Sequence, residues 1–237
     1  MIIVSDFDGV LFNDHRFKRD YRRLLSGLGV PYRIHQTAYQ KAKTGHPSGA
    51  YRHDAHLAII KEHVSGFSIP RAERAINALL AHSSKYLYHD SRPFLQHWKN
   101  KKVPLCLASS GFTFQKKKVR KSKLLPFFRM AKIEGTAYKI EPLKNIKTRV
   151  PGKKIIFIDD TLRVVDAVKK RFPSMLVIQL VRRKDQARSG YADAVVKNLA
   201  AARRICEQFY RSKNTRPTDQ LFPLRDFQIS SETQQKL

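Results

Sequence analysis

Residues 2–9 read IIVSDFDG, a short apolar run that leads into two acidic residues, Asp6 and Asp8. A brief run of β-branched residues is typical of a strand buried on both faces. The run is far shorter than the apolar stretch of a signal peptide, and no charged start precedes it. The sequence therefore predicts a first buried strand that ends at Asp6, with Gly9 allowing a sharp turn close to whatever binds there.

Two later segments repeat this arrangement, in which an apolar run stops at polar residues. The apolar runs span residues 103–108 and 155–158. The polar residues that follow them are Ser109 and Ser110 after the first run, and Asp159 and Asp160 after the second. Three predicted strands thus end in groups that can bind metal ions or phosphate.

The chain between the first and second predicted strands has a different character. Over residues 14–88, apolar residues recur at helical spacing, as Phe17, Tyr21 and Leu24 illustrate. Beyond residue 89, predicted strands and helices alternate, which favours a parallel, doubly wound sheet. We expect a Rossmann-like α/β core formed by residues 1–13 and 89–210, and a small all-helical cap formed by residues 14–88. Residues 211–237 are polar and are predicted to form a mobile tail.

Polar groups at the carboxyl ends of parallel strands lie on the same edge of a sheet, where ligands bind. If the three strands are neighbours, their carboxylates meet in a small volume and repel one another. A hard divalent cation relieves such repulsion, and oxygen ligands suit Mg²⁺. The sequence therefore predicts a magnesium site at this edge.

These segments resemble the motifs of the haloacid dehalogenase (HAD) superfamily. Residues 6–11, DFDGVL, are similar to the first motif, Ser109 matches the second, and residues 155–160, IIFIDD, match the fourth. The helical segment at 14–88 lies where this family carries a cap, as in its capped phosphatases and β-phosphoglucomutase. The resemblance implies a HAD-like fold and a phosphohydrolase activity.

Chemistry assigns roles to the first acidic pair. Asp6 is a carboxylate that can attack phosphorus and form an aspartyl phosphate. Asp8 can protonate the leaving oxygen and later take a proton from water.

The resemblance further implies that Asp6, the Asp8 carbonyl and Asp160, with Asp159 beside it, bind Mg²⁺. It implies that Ser109 donates a hydrogen bond to a phosphoryl oxygen, and we place Ser110 and Gly9 with it in the substrate site.

Two positions remain open in this comparison. The family's third motif is a lysine that pairs with phosphate and nucleophile; Lys139 is our choice, with Lys144 and Lys147 as alternatives. Many members also carry an acid or amide four residues after the fourth-motif aspartate, where this chain has Val164.

The chain is strongly basic, with 47 Lys and Arg against 19 Asp and Glu and a formal net charge of +28. Residues 116–123 read KKKVRKSK, either a solvated helix face or a track for nucleic acid. The cysteines, Cys106 and Cys206, have no metal-type spacing and are expected to be reduced in a cytoplasmic protein. No apolar run approaches the roughly 20 residues that span a bilayer, so we expect no membrane partner. The histidines, which lie between His15 and His97, are not expected to bind metal.

Two classes of function are compatible with these features. The first is a Mg²⁺-dependent phosphate-monoester hydrolase that acts on a phosphorylated small molecule, with a phosphomutase as a close variant. The second is a basic HAD-like protein that binds nucleic acid or ribonucleoprotein with little catalysis.

Overall fold

The computed structural model of the protein describes residues 1–46, 49–136 and 138–211. Its centre is a sheet of six parallel strands in the order β3-β2-β1-β4-β5-β6. The strands are β1 (Ile2–Ser5), β2 (Leu105–Ser110), β3 (Met130–Glu134), β4 (Ile155–Asp159), β5 (Leu176–Leu180) and β6 (Ala194–Val196). The predicted Rossmann-like α/β class is confirmed.

Helices cover both faces of the sheet, because alternate residues of each central strand point to opposite sides. Ile3 belongs to one buried apolar cluster, together with Trp98 and Leu199. Val4 belongs to a second cluster on the other face, with Val165. The helices are α1 (Asp14–Gly27), α2 (Tyr32–Thr44), α3 (His53–His63), α4 (Ile69–Ala81), α5 (Ser91–Asn100), α6 (Thr113–Lys121), α7 (Ile140–Thr148), α8 (Leu162–Arg171) and α9 (Leu199–Arg211).

Helices α1 to α4 form an insertion between β1 and β2. The side chain of Asn13 caps α1 by accepting from Arg16 N at 2.9 Å, and Ser68 caps α4 ahead of Pro70. Leu25 and Ile76 of these helices lie in the same apolar cluster as Ile3. The core of the insertion is therefore continuous with that of the sheet, and its separation as a cap domain at 14–88 stays a prediction.

Strand β2 differs from the prediction, which ended it at Ala108. The ladder with β3 continues through Ser109, opposite Ile133, and Ser110, opposite Glu134. Its start is later than predicted, at Leu105, since Pro104 has no N–H to donate to a ladder. Ser109 thus lies inside the strand and not after it.

Three further predictions concern the C-terminal tail, the two cysteines and membrane-spanning helices. Arg211 is the last residue of α9, and residues 212–237 of the predicted tail lie outside the described residues. Cys106 and Cys206 are buried free thiols. Within the described residues, no helix combines the length and apolar character needed to cross a membrane.

Candidate active site

The strand order brings the predicted site residues together. Strand β1 lies between β2 and β4, and all three run parallel, so their carboxyl ends share one edge. Asp6 follows β1, and Asp159 and Asp160 stand at the end of β4. One carboxylate oxygen from each of these three residues lies within 4.8 Å of the others. The edge therefore carries a compact cluster of three acidic side chains.

A buried lysine holds two of these carboxylates. Lys139 Nζ lies 2.7 Å from Asp6 Oδ2 and 2.6 Å from Asp159 Oδ2. Burial alone lowers the pKa of Lys139, but the carboxylates of Asp159 and Asp6 outweigh it and raise the pKa above its usual range. Lys144 and Lys147 are exposed, and Lys144 pairs with Glu141 at 3.1 Å. Of the three lysines that the sequence left open, Lys139 is the one placed against the acidic cluster.

Lys139 reaches this position through an unusual backbone conformation. It precedes α7 with φ of 59° and ψ of 15°, in the left-handed region that non-glycine residues rarely adopt. Such local strain of about 1–3 kcal/mol persists only where surrounding contacts compensate for it. The two short ion pairs of Lys139 supply those contacts.

Asp6 keeps one carboxylate oxygen unused. Its side chain is buried, and Oδ1 has no hydrogen-bond partner among the described residues. Burial, and to a smaller extent the charge of Asp159, raise the pKa of Asp6 to about 6 against the opposing charge of Lys139. A buried, unpaired oxygen of this kind is costly unless a cation, a ligand or water satisfies it.

The pKa of Asp160 is raised more than the pKa of Asp6. Burial is the largest cause that raises its pKa to about 8, followed by the charges of Asp159 and Asp6. Thr161 positions the pair, since its N–H donates to Asp159 Oδ1 at 2.9 Å and its hydroxyl donates to Asp160 Oδ1 at 3.2 Å. A divalent cation would remove this repulsion, so the donor set fits Mg²⁺.

Gly9 makes room for the Asp160 carboxylate. Its φ is +73°, and a Cβ at this position would overlap the carboxylate oxygens. The turn after Asp8 therefore approaches Asp160 as closely as only glycine allows. The side chain of Arg182 holds this turn in place, with Nη2 donating to Val10 O at 2.7 Å and Nε to Gly9 O at 3.2 Å.

Asp8 is held on the other side of the turn. Lys118 Nζ lies 2.7 and 2.8 Å from its two carboxylate oxygens, and Gln115 Nε2 donates to Oδ2 at 2.9 Å. Loss of hydration raises the pKa of Asp8 to about 6, whereas Lys118 acts in the opposite direction. Gln115 also donates to Ser109 Oγ at 3.0 Å and so links the two predicted residues.

Ser109 and Ser110 differ in what their hydroxyls can still do. Ser109 Oγ is buried and accepts from Gln115, so its proton remains free to donate. Ser110 Oγ donates to Thr136 O at 2.6 Å, so its proton is already used. Both serines lie at the same edge as Asp6, but only the hydroxyl of Ser109 is available as a donor.

Sequence and structure differ in how far they relate this chain to known proteins. No family model matches the sequence. No curated protein matches it either. The structure, however, is similar to many solved ones.

Three solved structures illustrate the similarity. A protein described as a haloacid dehalogenase-like hydrolase from Burkholderia xenovorans has a TM-score of 0.69 and 17% identity, over 88% of this chain and 97% of that chain. A HAD hydrolase of Bacillus subtilis, solved bound to magnesium, has a TM-score of 0.61 and 15% identity, over 86% and 97%. A protein described as a β-phosphoglucomutase from Thermotoga maritima has a TM-score of 0.60 and 19% identity, over 88% and 99%.

This chain has the haloacid dehalogenase-like fold. The HAD-like fold that the motifs predicted is thereby confirmed. L-2-haloacid dehalogenases share the same fold, so the fold alone does not select a reaction.

Within this HAD-like fold, Val164 contributes no polar group to the site, and the amide near Asp160 comes from Gln186. Val164 is buried in the apolar cluster on its face of the sheet, and Asp166 accepts from the Ser189 hydroxyl. Gln186, from the loop after β5, donates from Nε2 to Asp160 O at 2.7 Å. Sequence reasoning missed Gln186 because its loop has no motif and reaches the site only through the fold.

Lys118 was the other residue that the sequence concealed. It lies inside the basic run 116–123, yet it is only 3% exposed, so a solvated face is wrong for this residue. Its ammonium also lies 5.0 Å from the centre of the Phe12 ring and 3.4 Å from Asp14 Oδ1. The spacing of Gln115 and Lys118, three residues apart on α6, was the signal that could have placed them on one helix face.

Proposed function

We propose that this protein is a magnesium-dependent phosphate-monoester hydrolase that acts through an aspartyl phosphate on Asp6. One observation carries the proposal: Asp6 Oδ1 is buried and unpartnered among the described residues, while Oδ2 is held by Lys139. A carboxylate oriented in this way has one oxygen free to attack and one oxygen fixed. The acidic cluster around it has the donors that suit a divalent cation.

The residues divide the metal-binding and positioning roles. Asp6 and Asp160 would hold Mg²⁺ together with the Asp8 carbonyl. Asp159 accepts from Thr161 N and from Lys139 through its two oxygens, so it also positions the lysine beside the cluster. When bound, Mg²⁺ would offset the repulsion between Asp6 and the phosphate dianion.

The first half-reaction transfers the phosphoryl group to the protein. Asp6 Oδ1 attacks phosphorus, and the bond from phosphorus to the leaving oxygen breaks. Asp8 gives its proton to that oxygen; the adjacent Lys118 ammonium favours the ionised form of Asp8 that results. Ser109 and Lys139 donate hydrogen bonds to the phosphoryl oxygens.

The second half-reaction restores the enzyme. A water molecule attacks phosphorus of the aspartyl phosphate, and Asp8 accepts its proton. The bond between phosphorus and Asp6 breaks, which releases inorganic phosphate and regenerates both carboxyl groups.

The presence of Asp8 favours phosphate-monoester hydrolysis over dehalogenation. A halide leaves as a stable anion and needs no proton donor, whereas an alkoxide leaving group does. Lys118 and Gln115 hold Asp8 in the site, so a proton donor is in place for a leaving oxygen.

Hydrolysis of a broad panel of phosphate monoesters, with and without Mg²⁺, tests the proposal. We expect Mg²⁺-dependent phosphate release that Asp6→Asn abolishes, and a phosphorylated Asp6 peptide after rapid acid quench of the wild type. Asp185→Asn, at an exposed position, is the control and should keep full activity. Absence of turnover across the panel, or halide release from 2-haloacids instead, would overturn it.

A further inference from the structure

A cavity of about 320 Å³ opens from Asp8 into the helical insertion. It reaches Ser110 and Gly111 at the sheet edge and extends to Tyr32 and Gln36 of α2. Its volume is near the lower limit of the roughly 300–1,000 Å³ typical of small-molecule sites. The cavity can therefore hold one small organic group.

The position of Asp8 shows which part of a substrate the cavity would receive; this step rests on the proposed function. Asp8 lines the cavity, whereas Asp6 and Asp160 do not. Because Asp8 protonates the leaving oxygen, the leaving group lies on its side. The cavity lining thus selects the alcohol part of the phosphate ester.

Six aromatic rings form part of this lining. They come from α1, from α2, from the segment before α3 and from α6, and they touch one another: Tyr39 and Tyr51 have ring centres 5.1 Å apart, and Tyr51 and Phe114 have centres 6.1 Å apart. The aromatic lining residues are Phe17, Tyr21, Tyr32, Tyr39, Tyr51 and Phe114. Rings converging from four parts of the chain are typical of a site for a flat, apolar face.

Several of these tyrosines offer ring surface more than hydroxyl groups. The Tyr51 hydroxyl lies 2.6 Å from His56 Nδ1, and the Tyr21 hydroxyl lies 3.4 Å from His53 Nδ1. Their polar ends are therefore engaged inside the insertion. A ligand would meet stacking surfaces at these positions, and a planar ring gains most from them.

Charged groups also line the cavity. Lys18 is neutralised by Asp14 at 2.6 Å, as Lys118 is by Asp8. Arg22 lies 5.1 Å from the centre of the Tyr32 ring and forms no ion pair with any acidic residue in the described part of the chain. Its guanidinium supplies hydrogen-bond donors to the polar edge of a ring.

We propose that the cavity binds the nucleoside of a nucleoside 5′-monophosphate, with the base stacked among the tyrosines and the 5′-oxygen at Asp8. A nucleoside combines the planar ring that the walls favour with the polar edge that Arg22 can meet. The volume of about 320 Å³ suits a single nucleoside.

Equilibrium binding to the Asp6→Asn variant tests the proposal without relying on turnover. Isothermal titration would compare the four nucleoside 5′-monophosphates with ribose 5-phosphate, which keeps the phosphate and sugar but lacks the base. We expect at least one nucleotide to bind tenfold or more tightly than ribose 5-phosphate. If none of the four binds more tightly, the proposal is overturned.

Variants of Tyr39 test whether the tighter binding of a nucleotide than of ribose 5-phosphate arises in this cavity. Tyr39 lines the cavity and is partly exposed, so its replacement disturbs the core little. Tyr39→Leu should remove most of the preference, and Tyr39→Phe should retain it because the ring remains. Tyr191→Leu, at an exposed tyrosine outside the cavity, is the matched control and should leave binding unchanged. Equal binding by the Leu and Phe variants would contradict the stacking role.

Binding and turnover together separate the two proposals. Selective nucleotide binding without hydrolysis by the wild type would leave the cavity assignment standing and overturn the hydrolase. Hydrolysis of ribose 5-phosphate with the same kcat/KM as the nucleotides would support the hydrolase and overturn the assignment of the cavity to a nucleoside.

Discussion

Lys139 is the residue on which the acidic cluster depends most. It is buried between Asp6 and Asp159, and removing it would leave two buried carboxylates without their cation. Breaking a buried ion pair on one side costs far more than losing an exposed pair, because the remaining charge stays desolvated. The same amino acid at position 144 is exposed and thus offers an internal comparison.

We expect Lys139→Met to lower the free energy of unfolding at pH 7 by about 3 kcal/mol. Lys144→Met, which removes only the exposed pair with Glu141, should change it by less than about 0.5 kcal/mol. Urea denaturation of both variants measures the difference. Similar losses for the two variants would mean that the buried contacts of Lys139 contribute little.

Gly9 is the second position at which a single substitution should change stability, because an added Cβ has no room. In Gly9→Ala the new Cβ would overlap the Asp160 carboxylate at a φ of +73°. We expect a loss of about 1–2 kcal/mol from the backbone conformation and a further loss of about 1–3 kcal/mol from the overlap. Gly29→Ala has a comparable φ of +83° with open space around it, so it should show the first loss alone. Denaturation midpoints that match in the two variants would exclude a steric role for Asp160.

Helix α3 carries one fully buried histidine, His56, which makes the stability of the insertion depend on pH. His56 is fully buried against His35, His53, Tyr21 and Tyr51, and its Nε2 has no hydrogen-bond partner among the described residues. Burial, and to a smaller extent the neighbouring His35 and His53, lower the pKa of His56 from 6.5 to about 3. The charged form is therefore excluded from the folded insertion.

The direction in which His56 changes stability with pH follows from proton binding in the folded and unfolded states. Between pH 6.5 and about 3 the unfolded chain binds a proton at position 56 and the folded chain does not, so stability falls as the pH falls through this range. From about pH 7.5 to about pH 5 the wild type should lose roughly 1–2 kcal/mol more than His56→Gln. Urea denaturation at both pH values measures this difference.

A difference between variants is needed here because the active-site carboxyls act in the opposite direction. The raised pKa values of Asp6, Asp8 and Asp160 make the folded state bind protons more readily, which stabilises it as the pH falls. His63→Gln, at an exposed position of the same helix, should retain the pH dependence of the wild type. A pH dependence unchanged in His56→Gln would contradict the prediction.

The molecule as a whole carries a net charge of +28, which attracts polyanions whatever the active site does. On α6, Lys118 is buried while Lys116, Lys117 and Lys121 are exposed. We expect binding of double-stranded DNA to weaken steeply with salt, as counterion release requires. Asp6→Asn should leave this binding unchanged.

The exposed lysines of α6 provide the test of where polyanions bind. Replacing Lys116, Lys117 and Lys121 with Gln should reduce the slope of log affinity against log salt by up to about 3, roughly one for each phosphate that a lysine no longer neutralises. Fluorescence anisotropy with a labelled duplex at several salt concentrations measures the slope. An unchanged slope would place the DNA elsewhere on the surface.

Much of this architecture was predictable because its signals are local. The apolar run before Asp6 and the one before Asp159 identify buried strands by composition alone, and the spacing of Phe17 and Tyr21 identifies a helix. The extent of β2 was not predictable to the residue, since the ladder with β3 decides where a strand ends. Lys118 was misjudged for a similar reason, because a run of lysines does not show which one faces inward.

By itself, the sequence determined the order of strands and helices, the strand-end acids and the excess of positive charge, since each depends on residues near one another in the chain. Only the tertiary structure decided that Lys139 meets Asp6, that Lys118 meets Asp8 and that Gln186 donates to the Asp160 backbone. Lys118 and Asp8 are 110 positions apart in the chain, and they meet only because parallel strands end at the same edge of the sheet. Such contacts depend on strand order and backbone conformation, which composition and spacing do not encode.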